Sequence, residues 1–170
     1  MPRTSVSRLA LAVFLGPLLL SASGEAASLG KADRILVVKS ERKLTLLRDG
    51  KPLKNYLVAL GGEPVGDKHC QGDNRTPEGI YRVDFKKWNS QFHHALHVSY
   101  PDAGDVAEAK RRGCAPGGDI MIHGLAPSFA RIGALHRLSD WTLGCIAVTN
   151  EEIDEIWAAV DAGTVVEIRP

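Results

Sequence analysis

Between Arg34 and Gly61 the chain reads RILVVK, KLTLLR and LKNYLVALG, three short runs rich in leucine and β-branched residues. A three-residue polar break, SER, separates the first two, and DGKP, which is turn chemistry, separates the second from the third. Runs this short, punctuated this closely, read as a hairpin that continues into a β-meander. The meander then dissolves into GGEPVGDKHCQGDNRTPEG, Gly61 to Gly79. A loop of that length inside a compact domain is uncommon and tends to be functional or mobile.

The rest of the chain repeats the pattern. IYRVDF (Ile80 to Phe85), ALHVSY (Ala95 to Tyr100), GGDIMIHG (Gly117 to Gly124), CIAV (Cys145 to Val148) and GTVVEIR (Gly163 to Arg169) are further strand candidates. Asp102 to Gly113 reads as a short exposed helix ending at glycine, and PSFARIGALHRL as a weakly helical segment or loop. The clearest helix begins at Thr149. Thr149 and Glu152 have capping-box spacing, and Ile153, Ile156, Trp157 and Val160 recur at i, i+3, i+4 and i+7. Many strands, few short helices and no βαβ rhythm predict a mainly β architecture, a sandwich or partly closed barrel with a few short helices.

The chain opens MPRTSVSRLALAVFLGPLLLSASGEAAS. Arg3 and Arg8 precede an apolar run from Leu9 to Leu20, and small residues follow, which is the pattern of a secretory signal. The run is shorter than the roughly 20 residues of a permanent membrane span. Residues 1–27 therefore read as a signal peptide and 28–170 as one exported domain, without stable membrane insertion. Taking Arg3 and Arg8 from 21 basic residues and Glu25 from 20 acidic ones leaves 19 of each. A balanced domain lacks the basic footprint expected of a nucleic-acid partner.

Three cysteines, Cys70, Cys114 and Cys145, are an odd number for an exported chain, so one thiol remains if two pair. A Cys70–Cys114 bridge would pin the long loop to the segment before DIMIH, although spacing does not fix connectivity. Cys145 is then the free thiol. It follows Gly144, whose freedom lets the backbone approach a substrate closely, so the amides of Gly144 and Cys145 are candidate donors to an oxyanion. A thiol needs a base, and His123, at the end of a predicted strand and before Gly124, is better placed for that than His136. The plain alternative for Cys145 is a small buried residue at a strand start. The histidines of HHALH, His93, His94 and His97, alternate faces in a strand and read as surface or stacking groups. No metal or other cofactor is expected.

IMIHG (Ile120 to Gly124) followed by DWTLGCIAVTNEEIDEIW (Asp140 to Trp157) resembles the L,D-transpeptidase catalytic-domain family, the YkuD-like proteins of bacterial cell walls. GDNRTPEGIY (Gly72 to Tyr81) and Ser99 to Asp119 are similar to the same family. The resemblance implies a β-sandwich-like catalytic domain. It also implies attack by a cysteine on peptidoglycan stem peptides, loss of D-alanine from a thioester intermediate, and transfer of the acyl group to an amine. It makes Cys145 the nucleophile and His123 the base, oriented through the Gly124 carbonyl, with Gly144 and Cys145 lining the oxyanion hole. Leu143 stands where many relatives carry histidine, and Ala147 where they carry arginine or asparagine. Arg137, Asp140 and Trp141, with Leu143 itself, are the candidate substrate-binding residues, and the Gly61–Gly79 loop is the candidate lid.

Two other readings share these residues. In one, water resolves the thioester and the protein is a carboxypeptidase, or an amidase that frees a peptidoglycan-linked protein. In the other, the chain is a cell-wall binding module, which predicts that Cys145 is buried or bridged to Cys70 or Cys114. The expected setting for all three is the periplasm, with peptidoglycan as partner and a monomeric chain.

Overall fold

The computed structural model describes Met1 and residues 29–170. The expected signal peptide, residues 1–27, lies outside the described residues but for Met1. Eight strands form one sheet in the order β3-β2-β1-β8-β4-β5-β6-β7. They are β1 (Arg34–Val38), β2 (Lys43–Arg48), β3 (Lys51–Leu57), β4 (Gly79–Ser90), β5 (His93–Val98), β6 (Met121–His123), β7 (Ile146–Ala147) and β8 (Val165–Arg169). The expected β1–β2–β3 meander is present and antiparallel. Two contacts are parallel, β1 with β8 and β6 with β7.

The sheet curls until its two ends meet. Just beyond β3, Ala59 and Ala147 of β7 exchange both backbone hydrogen bonds, at 3.0 and 2.8 Å. This closure satisfies edge groups that an open sheet would leave exposed. Ile35, Val37, Leu44, Leu46, Val83, Leu96, Val98, Ile122, Ile146, Val166 and Ile168 fill the interior and are buried. The result is mainly β with few short helices, as the sequence predicts.

Helix α1 (Ala103–Arg111) starts at an Asp102–Asp105 capping box, and α2 (Asn150–Ala159) at the predicted Thr149–Glu152 box. Ile153 and Ile156 of α2 are buried against the sheet, and Trp157 packs beside them. The ambiguous segment resolves into a 3₁₀ stretch, Ala130–Leu138, kinked at Gly133.

The Gly61–Gly79 loop is fastened down, which argues against the lid expected of it. Buried Lys39 donates to the carbonyls of Gly66 and Thr76 and to Glu78 Oε1, at 2.6, 2.9 and 2.8 Å. Asp73 accepts from the amides of His69, Cys70 and Arg75 and from Lys68 Nζ. Burial alone would raise the Asp73 carboxyl, but these donors outweigh it and hold it down to about 2. Cys70 and Cys114 are joined as expected, with Cα atoms 5.7 Å apart across 44 positions. Constraining a loop that long is worth about 2–4 kcal/mol. The double variant Cys70→Ser/Cys114→Ser is expected to lose about that much in denaturant unfolding.

The histidines of β5 depart from alternation. His93 takes a positive φ of 67°, and the β4–β5 register shifts between Lys87 and Ser90. His93 and His94 consequently reach the same carboxylate, Asp154, each at 2.7 Å. The stacking expectation holds better: His94 lies on Trp157 and His97 on Phe85, with ring centroids 4.7 and 4.4 Å apart.

Candidate active site

The β6–β7 ladder brings together two residues 22 positions apart in sequence. Its register pairs Ile122 with Ile146 and His123 with Ala147. Cys145 stands immediately before β7, and the same register carried one residue further sets it opposite Met121, two positions before His123 on the neighbouring strand. Cys145 is half-buried and free, and its thiol donates to the carbonyl of Asp119 at 3.5 Å. Of the two outcomes expected from the binding-module reading, a buried or a bridged Cys145, the bridge is not formed, since Cys70 and Cys114 pair with each other.

Burial raises the Cys145 thiol above its ordinary value, and the Asp119 carboxylate adds to that. A hydrogen bond from the Met121 amide and the positive charge of Lys68 oppose it. His123 is only 3% exposed, and burial pushes its pKa down. Its Nδ1 lies 2.7 Å from the Gly124 carbonyl. A carbonyl only accepts, so Nδ1 carries the proton and Nε2 keeps a free lone pair. The resting pair is thus a neutral thiol and a neutral imidazole, poised for general-base rather than preformed-thiolate chemistry. Phe92 and Trp141 flank the imidazole, with centroids 4.6 and 6.0 Å away.

The turn before Cys145 is built on one hydroxyl. Thr142 Oγ1 donates to the Cys145 carbonyl at 2.7 Å and accepts from the Gly144 amide at 3.1 Å. The Gly144 amide is therefore engaged, which removes it from the oxyanion pair expected from sequence. Gly144 matters for another reason: its φ is +134°, and a Cβ there would lie 2.7 Å from the Arg75 carbonyl. Gly144→Ala should shift Cys145, and displacement of a reacting group by about 1 Å costs on the order of 10² in rate. The expected result is a fall of that size or more in kcat/KM, with the thiol still titratable.

The four expected substrate contacts separate into two pairs. Arg137 is ion-paired with Glu152, whose carboxylate also accepts from the Thr149 amide in the α2 cap. Asp140 pairs with Arg42 at 2.8 Å and accepts from the Leu60 amide at 2.9 Å. Both side chains are fasteners of the scaffold, so the structure does not favour them as substrate ligands. Trp141 and Leu143 are exposed. Trp141 lines an apolar cleft of about 290 Å³ with Leu125, Phe129, Ile132, Leu135 and His136. His136 is buried there with both ring nitrogens unpartnered, and burial, with Arg137 adding to it, pushes its pKa down to about 4.

Comparison with known proteins decides the family. Residues 32–168 match the L,D-transpeptidase catalytic domain, YkuD. The chain belongs to this family. It is 31% identical over 143 residues to the Escherichia coli K12 protein named "Putative L,D-transpeptidase YafK", a match that covers 81% of this chain and 50% of that one. The helical cell shape determining protein Pgp2 of Campylobacter jejuni (K307A mutant) superimposes with a TM-score of 0.61 at 27% identity, over 82% of this chain and 47% of that chain. Bd1075 of Bdellovibrio bacteriovorus gives 0.56 at 25% identity, over 82% and 48%. The chain spans about half the length of these relatives.

Against this L,D-transpeptidase background, the residues that sequence reading missed are supports of the site. Thr142 was signalled only by its place two before Gly144, where a hydroxyl can bond a nearby amide. Asp119 and Phe92 carried no local signal, because their contacts with Cys145 and His123 depend on strand pairing.

Proposed function

We propose that this L,D-transpeptidase-family protein is an exported cysteine acyltransferase acting on peptidoglycan stem peptides in the periplasm. The observation that carries the reading is a free Cys145 at the start of β7, the strand paired with the one that ends in His123, together with a His123 whose Nδ1 is fixed by the Gly124 carbonyl. As Sγ attacks the carbonyl that precedes the terminal D-alanine, His123 Nε2 takes the thiol proton. The Cys145 amide donates to the developing oxyanion, and the scaffold that Thr142 staples holds it in place. His123 then protonates the departing D-alanine amine, leaving an acyl thioester on Cys145. An incoming amine gives its proton to His123 and takes the acyl group, which frees the thiol.

The names of Pgp2, a helical cell shape determining protein, and of "Putative L,D-transpeptidase YafK" support the reading. Incubation with a disaccharide-tetrapeptide tests the reading. Release of D-alanine with formation of crosslinked dimers is the expected result. Trimmed monomers alone would replace transfer by hydrolysis at the same thioester, and no D-alanine release from protein with a titratable thiol would contradict the donor assignment.

A further inference from the structure

A second constellation lies outside the Cys145–His123 pair. His93 Nε2 and His94 Nδ1 each lie 2.7 Å from Asp154 Oδ1, and the three donor atoms all fall within 4.8 Å of one another. Among the described residues this is the one group of three or more such side chains that converges in this way. Neighbouring residues on a regular strand point to opposite faces, so two adjacent imidazoles meet one carboxylate only because His93 adopts φ 67°. That backbone region is unfavourable for a residue with a side chain, and its use at a ligand-bearing turn invites a functional reading. Asp154 has no lysine or arginine partner among the described ion pairs, and its basic neighbours are the two histidines alone.

We propose that His93, His94 and Asp154 form a three-ligand site for a divalent transition-metal ion of the zinc class. Two imidazoles and one carboxylate suit zinc, nickel or copper(II) rather than magnesium or calcium, which prefer all-oxygen shells. Zinc takes such ligands at about 2.0–2.2 Å in a tetrahedron, so the donor atoms need only spread by some tenths of an ångström from their present hydrogen-bonded spacing. Each histidine then carries its proton on the other ring nitrogen, His93 on Nδ1 and His94 on Nε2. All three side chains are partly exposed, which gives the ion an entry path and leaves its fourth position to solvent or a ligand.

The site would tie the start of β5 to α2. Asp154 and Trp157 are one helical turn apart on α2, and Trp157 stacks on His94 at 4.7 Å. Phe92, next to His93, packs its ring against His123 at a tilt of 35°, and the His94 carbonyl accepts from the Gly124 amide at 3.3 Å. An ion held here would brace the strand segment against which the catalytic histidine packs.

The test uses untagged protein carrying Cys145→Ala, so that the active-site thiol does not compete, and zinc ion alone as the probe. Calorimetric titration is expected to give one equivalent bound, with a rise in Tm that grows with zinc concentration. His93→Ala and the isosteric Asp154→Asn should each weaken binding by more than about tenfold and remove the rise, while the metal-free Tm and circular dichroism stay unchanged. Copper(II) should quench Trp157 fluorescence, a signal that Trp157→Phe removes without changing the stoichiometry. An absence of saturable zinc binding would overturn the proposal, as would binding of equal strength in the folded His93→Ala and Asp154→Asn proteins.

Discussion

Cys145→Ala is expected to abolish D-alanine release, a loss on the order of 10⁶-fold if this thiol behaves as other nucleophiles do on removal. The fold should survive. Cys145 is half-buried and outside the Cys70–Cys114 bridge, and its thiol makes a long hydrogen bond to the Asp119 carbonyl and meets the Met121 amide. Cys145→Ser sharpens the test: it keeps the shape and the amide of residue 145 but replaces sulfur by a far less acidic hydroxyl. It should bind the stem peptide and fail to turn it over. A circular dichroism spectrum and Tm like the wild type's, together with lost turnover, separate chemistry from folding.

His123→Gln is expected to cost about 10²–10⁴ in kcat/KM, the usual contribution of a positioned general base. The pH profile carries more information than the rate. Burial holds His123 below its ordinary value, so it stays an unprotonated base throughout the neutral range and the acid limb of the wild-type profile falls below about 6.5. The thiol is pushed the other way, so alkylation of Cys145 by iodoacetamide should climb above the range of a free thiol, about 8.5. His123→Gln should abolish the acid limb and leave the alkaline rise in alkylation.

Stability follows the same histidines. His123 and His136 are both lowered in the folded state, His136 to about 4, whereas the unfolded chain protonates them near 6.5. Below that value the unfolded state binds more protons, so stability is full above about pH 6.5 and declines as the pH falls toward 4. Denaturant midpoints measured across this window check the sign, and His136→Phe should flatten the decline.

How much of this was legible in the sequence depended on whether a partner was local. The Thr149–Glu152 cap lies within four residues, and the β1–β2 hairpin closes over four, so both could be read directly. Cys145 and His123 stood out by chemistry, since a lone thiol in an exported chain needs a reason and a base. The fastening of Asp140 by Arg42 spans 98 positions and was invisible. A charged residue near a nucleophile looks the same in sequence whether it meets a substrate or a distant arginine. The Ala59–Ala147 closure, which brings the Cys145 turn against the end of the meander, rests on backbone groups that no side-chain pattern reports. The His93 backbone carried no glycine or turn motif to warn that alternation would fail there.

The central claim, that Cys145 carries the acyl group, is tested most directly by intact mass spectrometry of the protein quenched during turnover of a disaccharide-tetrapeptide. The account predicts an adduct equal to the donor minus D-alanine, localised to the peptide that contains Cys145 and absent from Cys145→Ala. An equal adduct on Cys145→Ala would contradict it, as would continued D-alanine release by that variant.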